Sequence, residues 1–168
     1  MNKIFYQNSL LRFIKSKKGK ALDLASGNET FANLLLKNHW YVDSVDLKKK
    51  IIFRKKNYSF NRINLEKTKL SKIKKKLALK KYDLIILFRF LHRPLFSMIP
   101  LLMKNNGLFF CETFMIQNGK GKLNTKKNML VEKELFNLKN CKLNLVKFYQ
   151  GKDLQKKNII QTAIFKRI

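Results

Sequence analysis

The chain has 168 residues, of which 45% are hydrophobic, so it is long enough for one domain with a real core. It carries 38 Lys and Arg against 10 Asp and Glu, a net charge of +28, and its two cysteines, Cys111 and Cys141, have no C-x-x-C partner, which excludes a typical disulfide framework or zinc site. Because no signal-peptide core and no run near 18 apolar residues occurs, we expect one cytoplasmic domain over residues 1–168 with no membrane span.

The beginning of the chain predicts a helix, a strand and a sharp turn. Apolar residues at helical spacing within Met1–Lys18 indicate an amphipathic helix that packs on the fold. Ala21–Leu24 is a short apolar strand. The residues after it, Ala25, Ser26 and Gly27, are small enough for a ligand to approach the backbone.

A helix and a second strand follow this turn. Thr30–Asn38 has helical apolar spacing, and Trp40–Val45 alternates as a strand that ends at Asp46. Together with the first strand these elements form the opening βαβ unit of a nucleotide-type fold. Residues 47–57 predict a short basic helix or turn, and Tyr58–Leu65 predicts the third strand.

The middle of the chain continues the alternation of helices and strands. Leu70–Lys80 predicts a very basic helix, and Tyr82–Phe90 is apolar enough for a parallel strand that is buried on both faces. Pro94 opens a helix that runs through Leu102. Asn105–Gly107 predicts a turn into a fifth strand, Leu108–Phe114.

The last third of the chain predicts a polar stretch, a helix and two strands. Gln117–Asn128 has the composition of a mobile segment, and a helix is expected near Met129–Leu138. Lys142–Tyr149 and Ile159–Phe165 are two successive strands with no helix between them. We therefore expect these two strands to pair antiparallel.

The polar residues of the first βαβ unit indicate which nucleotide it suits. A dinucleotide site requires glycine at three positions, which here are Ala25, Gly27 and Thr30. Asp23 lies just before the turn, where its charge would repel a diphosphate and attract an ammonium group. This pattern disfavours an NAD-linked oxidoreductase and favours a ligand with a ribose and a cationic end, such as S-adenosylmethionine.

Several segments resemble one enzyme family. LDLASGNET at Leu22–Thr30, followed by VDSVD at Val42–Asp46, resembles motif I and the second-strand acidic residue of class I S-adenosylmethionine-dependent methyltransferases. YDLIILFRFLHRPLF and NNGLFFCETF are similar to the fourth and fifth strands of a bacterial branch that includes tellurite-resistance-like enzymes. The resemblance implies a three-layer α/β sandwich with a Rossmann-like seven-stranded sheet, mostly parallel, whose last strand is antiparallel. It also implies methyl transfer from S-adenosylmethionine to an unassigned acceptor, either a small molecule or RNA.

The resemblance also implies residues that bind the cofactor. Asp46 would accept hydrogen bonds from both ribose hydroxyls, with Leu47 beside it, and Asp23 would orient the methionine end. Asn64 would accept a hydrogen bond from the adenine amino group, and Leu65 would pack on the adenine face. The turn residues Ala25, Ser26 and Gly27 complete the expected cofactor site.

Catalytic candidates follow the fourth strand. Phe88 and Arg89 close that strand beside the expected sulfonium, which a guanidinium would repel, so Arg89 is expected to face the substrate or the cofactor carboxylate, or to pair with Glu112. His92 is the candidate general base, because an imidazole can take up and release a proton under physiological conditions, although a histidine in such a turn is more often structural. Arg93 is expected near the site without an assigned role. No metal is expected.

One departure from the family pattern and the unusual charge leave alternatives open. Glu29 stands where the family usually has a third glycine; its side chain could narrow the pocket or lie at the N-terminus of the next helix. The alternative function is a basic nucleic-acid-binding protein on a degenerate scaffold without activity. The charge itself suits nucleic acid, but 32 Lys against six Arg also fits compositional bias.

Overall fold

The structure is a computed structural model that describes residues 5–48, 56–77, 81–116, 128–138, 142–153 and 158–168. Within these ranges, four helices and seven strands follow one another in the order α1 Phe5–Ser16, β1 Lys20–Leu24, α2 Thr30–Lys37, β2 Tyr41–Asp46, β3 Tyr58–Arg62, α3 Leu70–Leu77, β4 Tyr82–Phe88, α4 Leu95–Leu102, β5 Met103–Phe114, β6 Leu143–Lys152 and β7 Ile159–Arg167. Among the described residues, no helix is long and apolar enough to cross a membrane.

All seven strands belong to one sheet in the order β3-β2-β1-β4-β5-β7-β6. The first five strands in this order are parallel, and β7 lies antiparallel between β5 and β6. The predicted seven-stranded, mostly parallel sheet with an antiparallel last strand is therefore confirmed. The strand order changes direction between β1 and β4, and ligands of such sheets bind at the carboxyl ends of the strands beside that point.

Helices cover the two faces of the sheet and bury two apolar clusters. Leu24, Leu87 and Ile99 belong to the cluster on the α3 and α4 face, whereas Ala21 and Ile86 belong to the cluster on the α1 and α2 face. Successive side chains of a strand point to opposite faces, so a strand that is covered on both sides must be apolar throughout. This explains why β4 is apolar without interruption from Leu84 to Phe88.

Trp40 joins the first helix to the sheet. Its ring is fully buried and lies 5.8 Å from the ring centroid of Phe13, and its Nε1–H donates a hydrogen bond to the carbonyl of Ile14 over 2.9 Å. A buried indole needs such a partner for its one polar atom. The apolar pattern of the N-terminal helix is thus used for packing, as predicted.

The predicted turn at Asn105–Gly107 is wrong as a strand boundary. β5 begins at Met103, and its pairing with β4 shifts between the partners Tyr82↔Met103 and Leu84↔Leu108. Asn106 has a left-handed φ of 63°, and it lies where the register of this pairing shifts, as in a bulge. The polar residues and glycine that are typical of a turn here form a bulge within the strand.

The predicted helix near Met129–Leu138 is also wrong, because the structure has successive turns there. Leu130 forms an isolated bridge with Met115, and Lys133 has a left-handed φ of 53°. The N–H of Leu135 donates to the side chain of Gln161 over 2.8 Å. Partners outside the segment thus take the N–H groups of Leu130 and Leu135, which bond the carbonyl of Phe114 and the side chain of Gln161.

Other predicted segments agree with the structure except at their ends. The third strand ends at Arg62 rather than at residue 65, and the fourth ends at Phe88. The predictions for residues 49–55, 78–80 and 117–127, together with Cys141, lie outside the described residues.

Candidate functional site

A cavity of about 250 Å³ opens at the carboxyl ends of the strands β1, β2 and β3. The chain forms it from the turn after β1, the end of β2 and the segment after β3, which lie side by side because these strands are parallel. Its lining residues are Ala25, Asp46, Leu47, Lys48, Ile63, Asn64, Leu65, Glu66 and Phe90. The structure therefore brings together five of the predicted cofactor residues. Ile63 and Phe90 were not predicted, because an apolar residue after a strand cannot be distinguished from core by sequence.

Asp46 presents an oriented carboxylate to this cavity. Its Oδ2 accepts a hydrogen bond from the N–H of Gly27, and its Oδ1 accepts one from the N–H of Lys48, each over 2.9 Å. Since each carboxylate oxygen has two lone pairs, both oxygens can accept a further hydrogen bond from a ligand. The backbone thus holds the side chain in place and leaves room for a pair of hydroxyl donors.

The turn after β1 has an unusual backbone. Ala25, Gly27 and Glu29 have φ values of 55°, 52° and 56°, all in the left-handed region. Glycine adopts this region freely, whereas other residues lose about 1–2 kcal/mol each. The N–H of Ser26 donates to the carbonyl of Val45 over 3.1 Å, which ties the turn to β2. The turn keeps a glycine-rich geometry although two of the three positions carry side chains.

Asp23 lies beneath this turn in a very different environment from Asp46. Its side chain is on the α2 face of the sheet and only 2% exposed, and its Oδ2 has no hydrogen-bond partner among the described residues. Burial, together with the nearby carboxylates of Glu29 and Asp46, raises the pKa of Asp23 from 3.8 to about 7, while the backbone N–H of Ala32 opposes the shift. Asp23 can therefore change protonation state near neutral pH.

Glu29 takes an arrangement that neither sequence alternative anticipated. It precedes α2 without a side-chain capping bond, it does not line the cavity, and only 1% of it is exposed. Its Oε1 accepts a hydrogen bond from the hydroxyl of Tyr58 over 2.7 Å, and its Oε2 has no partner among the described residues. Burial and this contact with Glu29 raise the pKa of Tyr58. The side chain thus neither narrows the cavity nor caps the helix.

Asn64 organises the turn that follows β3. Its Oδ1 accepts hydrogen bonds from the N–H groups of Glu66 and Lys67 over 3.1 and 3.0 Å. Its carbonyl accepts one from Thr68 over 2.9 Å. Leu65 is held within this turn, 4% exposed, beside the cavity. The observed role of the amide is to shape the turn, and its contact with adenine stays a prediction.

Phe88 packs on the sheet face away from the cavity lining. Its ring centroid is 4.4 Å from that of Phe31 and 5.3 Å from that of Phe110. Phe110 belongs to the apolar cluster on the α1 and α2 face, and Phe31 and Phe88 pack against that cluster while partly buried. The structure therefore places Phe88 at the margin of the core, and its contact with a sulfonium stays a prediction.

Arg89 follows β4 with a φ of 55° and forms the pair that was one of its sequence alternatives. Its Nη2 lies 3.0 Å from Oε1 of the fully buried Glu112, and its Nη1 lies 3.8 Å from Oδ2 of Asp153. The guanidinium also stands 4.4 Å from the ring centroid of Phe114. Arg89 therefore neutralises buried carboxylates on β5 and after β6; its catalytic role stays a prediction.

A second cavity of about 610 Å³ adjoins the first and shares Glu66 with it. His92 lines this cavity, together with Lys67, Leu91, Arg93, Pro94 and Asn128. Arg93 forms two hydrogen bonds with Glu134, of 2.6 and 2.8 Å, and this contact raises the pKa of the guanidinium. Arg93 thus fixes the turns after Asn128 against the cavity, a role that no sequence signal indicated. His92 keeps its predicted role as a candidate base.

Metal ligands are not assembled in the described part of the chain. No group of three or more His, Cys, Asp or Glu side chains there is placed to hold a metal ion. The buried Cys111 is a free thiol whose pKa is raised by burial, which makes it a poor nucleophile or ligand.

Several solved structures with a similar fold are methyltransferases. The sequence matches no protein-family model and no curated protein. The 1,6-didemethyltoxoflavin-N1-methyltransferase of Burkholderia thailandensis, whose structure contains S-adenosylhomocysteine, is 14% identical, with 97% of this chain and 77% of that chain covered and a TM-score of 0.68. An S-adenosylmethionine-dependent methyltransferase from Mesorhizobium loti is 14% identical over 95% and 96% of the two chains, with a TM-score of 0.69.

A third neighbour is TehB from Haemophilus influenzae. It is 13% identical, with 89% of this chain and 57% of that chain covered and a TM-score of 0.60. The fold is therefore that of class I S-adenosylmethionine-dependent methyltransferases, as the resemblance implied.

Proposed function

We propose that this protein is an S-adenosylmethionine-dependent methyltransferase. The observation that carries the proposal is the Asp46 carboxylate, which is held by two backbone N–H groups at the carboxyl end of β2 and faces a cavity beside the turn after β1. When bound, S-adenosylmethionine supplies a methyl carbon that its sulfonium activates toward a nucleophile. The fold of the solved neighbours supports the same conclusion.

The residues present fit such a cofactor. A Cβ added to Gly27 would meet only the carbonyl oxygen of Ala25, at 3.9 Å, so the turn leaves space for a ligand above it. Ile63, Leu65 and Phe90 give the cavity apolar surface that suits a purine. No described residue donates a hydrogen bond to the buried Oδ2 of Asp23, so this oxygen can accept one from a ligand. We infer that Asp46 holds the ribose hydroxyls and that Asp23 faces the ammonium end.

Asp23 can adapt its charge to the ligand. With a pKa of about 7, it is partly neutral near pH 7 in the free protein. A nearby ammonium group favours the ionised form, so binding releases a proton from the carboxyl group. The ion pair then forms in a buried place, where it orients the ligand more firmly than a solvated pair would.

The acceptor would enter through the larger cavity, which is lined by residues that follow β3 and β4 and by Asn128. Transfer of an activated methyl group needs an in-line approach in a dry site, so the chain contributes mainly positioning and exclusion of water. His92 can take a proton from an acceptor that still carries one. Arg89, paired with Glu112, holds the end of β4 that separates the two halves of the site.

Calorimetric titration with S-adenosylhomocysteine and S-adenosylmethionine tests the proposal. We expect micromolar binding by the natural chain and clear weakening in Asp46→Asn. Glu132→Gln is the matched control, because it removes the same charge from an exposed position. Absence of binding at millimolar ligand would overturn the proposal and favour the degenerate, non-catalytic alternative. Binding would be followed by a screen for labelled methyl transfer to RNA and to small acceptors.

A further inference from the structure

Acidic and basic residues are distributed very unequally between the interior and the surface. All ten acidic residues lie in the described part of the chain, and only Glu66 and Glu132 among them are exposed. Five are buried, with at most 5% exposure: Asp23, Glu29, Asp43, Glu112 and Asp153. The surface that a partner meets is therefore even more strongly cationic than the net charge indicates.

Helix α3 carries several lysines on its solvent-exposed side. Ile73 and Leu77 are its buried residues, and Lys72, Lys74, Lys75 and Lys76 are all exposed. Lys69, Lys72 and Lys76 follow one another at spacings of three and four residues, so they lie along one side of the helix. We call these three residues, all exposed, the lysine stripe.

Helix electrostatics explains only part of the stripe. Lysines in the last turn are favoured by the helix dipole, which accounts for Lys74, Lys75 and Lys76. Lys69 and Lys72 lie at the other end, where the same dipole disfavours a cation, and the first turn contains no acidic residue to compensate. Lys72 and Lys76 also repel each other as like charges four residues apart. A bound polyanion would relieve both costs.

The stripe begins next to the candidate site. The turn after β3 contributes Glu66 to both cavities and Lys67 to the larger one, and Lys69 follows two residues later. A chain bound along α3 would therefore pass the mouth of the cavity that His92 lines. The start of the stripe is thereby distinguished from Lys15, Lys17 and Lys18, which precede β1 at the amino ends of the strands, away from the two cavities.

We propose that the lysine stripe binds the phosphate backbone of single-stranded RNA and so brings a nucleotide to the larger cavity. Ammonium groups in a row release counterions from such a backbone. A single strand suits this surface, because a base inside a duplex must first be flipped out of the stack before it can enter a pocket. The docking surface is independent of methyl transfer, whereas RNA as the methyl acceptor rests on the proposed function.

A nucleic acid suits this surface better than a membrane does. Helices that bind membranes insert an exposed apolar face, but the apolar residues of α3 face the core. The large hydrophobic residues that are exposed lie outside α3, at Tyr41, Leu47, Val131, Phe136, Val146 and Ile168.

Fluorescence anisotropy with a labelled single-stranded RNA over a range of salt concentrations tests the proposal. We compare Lys69→Gln/Lys72→Gln/Lys76→Gln with the control Lys15→Gln/Lys17→Gln/Lys18→Gln, which removes the same charge elsewhere. The stripe variant should bind RNA at least about tenfold more weakly than the natural chain. The plot of the logarithm of the binding constant against the logarithm of the salt concentration should become shallower by about 2, at roughly 0.7 per lost phosphate contact. The control should lose less than about threefold. Thermal unfolding checks that both variants are folded.

Other results would overturn the inference. Equal losses in the two variants would show that overall charge alone attracts RNA. Stripe-dependent binding to phosphatidylserine vesicles without RNA binding would favour a membrane. Titration of the stripe variant with S-adenosylhomocysteine separates the two proposals, since we expect unchanged affinity. If the natural chain binds the cofactor but not RNA, the docking surface is wrong and the methyltransferase proposal stands. If it binds RNA through the stripe but not the cofactor, the docking surface stands and the methyltransferase proposal is wrong.

Discussion

The two carboxylates near the first turn, Asp46 and Asp23, occupy opposite environments: Asp46 lines the smaller cavity, and Asp23 is buried beneath the turn. Asp46 is half-buried, and backbone N–H groups of Gly27 and Lys48 bind both of its oxygens. Asp23 is 2% exposed, one of its oxygens has no partner among the described residues, and burial raises its pKa to about 7. The same chemical group is thus an oriented acceptor at one place and a protonatable buried acid at the other.

Because of this difference, we expect Asp46 to affect mainly ligand binding and Asp23 to affect mainly the stability of the fold. Asp46 is oriented by hydrogen bonds that persist without ligand, so removing it should weaken binding more than folding. Asp23 costs folding free energy when ionised, and a cationic ligand can recover that cost. Functional sites commonly retain such destabilising groups.

The largest expected effect concerns Asp23 and pH. Its pKa is higher in the folded chain than the ordinary 3.8, so the folded state binds more protons between about pH 4 and 7. Stability should therefore be highest below this window and should fall as pH rises through it. The interval between 3.8 and about 7 corresponds to roughly 4 kcal/mol at about 1.36 kcal/mol per pKa unit.

Asp23→Asn should remove this loss, because the amide has no charge to bury. Urea unfolding at several pH values from 5 to 8 would measure it. We expect the natural chain to lose stability with pH, the variant to stay nearly level, and Glu132→Gln to follow the natural chain. Parallel curves for the natural chain and Asp23→Asn would contradict the assigned environment.

Asp46→Asn should mainly lower ligand affinity. Loss of hydrogen bonds to a charged group costs about 1.5–3 kcal/mol, which corresponds to roughly 10–100-fold in Kd for S-adenosylhomocysteine. The amide retains one oxygen for a backbone N–H, so urea unfolding should change little. If Asp46→Asn destabilised the fold strongly and left binding intact, the contrast with Asp23 would be lost.

A third prediction concerns the hydrogen bond between Tyr58 and Glu29, whose carboxylate lies near Asp23. Tyr58→Phe removes the donor that binds Glu29 and leaves a buried polar group without its partner, which should cost about 1–3 kcal/mol. Glu29→Gln keeps an acceptor for Tyr58 and removes a charge near Asp23, so it should cost much less. Urea unfolding of both variants at pH 7.5 measures the difference; equal stabilities would show that the hydrogen bond contributes nothing.

The smallest expected effect is in the backbone that connects the two carboxylates. Ala25→Gly relieves a left-handed residue but increases the freedom of the unfolded chain, so a net gain below about 1 kcal/mol is expected. Ala32→Gly, inside α2, should instead cost about 1 kcal/mol. Thermal unfolding would rank the two variants, and a loss in Ala25→Gly would argue against strain at the turn.

Several parts of the site were predictable because their signals are local. The strand before Asp23, the small residues of the turn and Asp46 after the second strand follow from apolar periodicity. Parallel strands then bring their carboxyl ends together, which explains why Asp46, Asn64 and Ala25 share one cavity. The contributions of Phe90 and Tyr58 could not be predicted, because side chains from distant strands reach the site only through the packing of the whole sheet.

The sequence by itself determined the alternation of strands and helices, the antiparallel pairing of the last two strands and the position of the polar residues at strand ends. Three features were decided only by the tertiary structure. The register of β5 shifts at Asn105–Gly107, and the side chain of Gln161 accepts a hydrogen bond from Leu135, in a segment that is not helical. The third feature is the hydrogen bond between Tyr58 and Glu29. Periodicity reports which face of an element is apolar, and that is a local property. Hydrogen-bond partners and strand registers depend on residues far along the chain, so they are settled only when the sheet assembles.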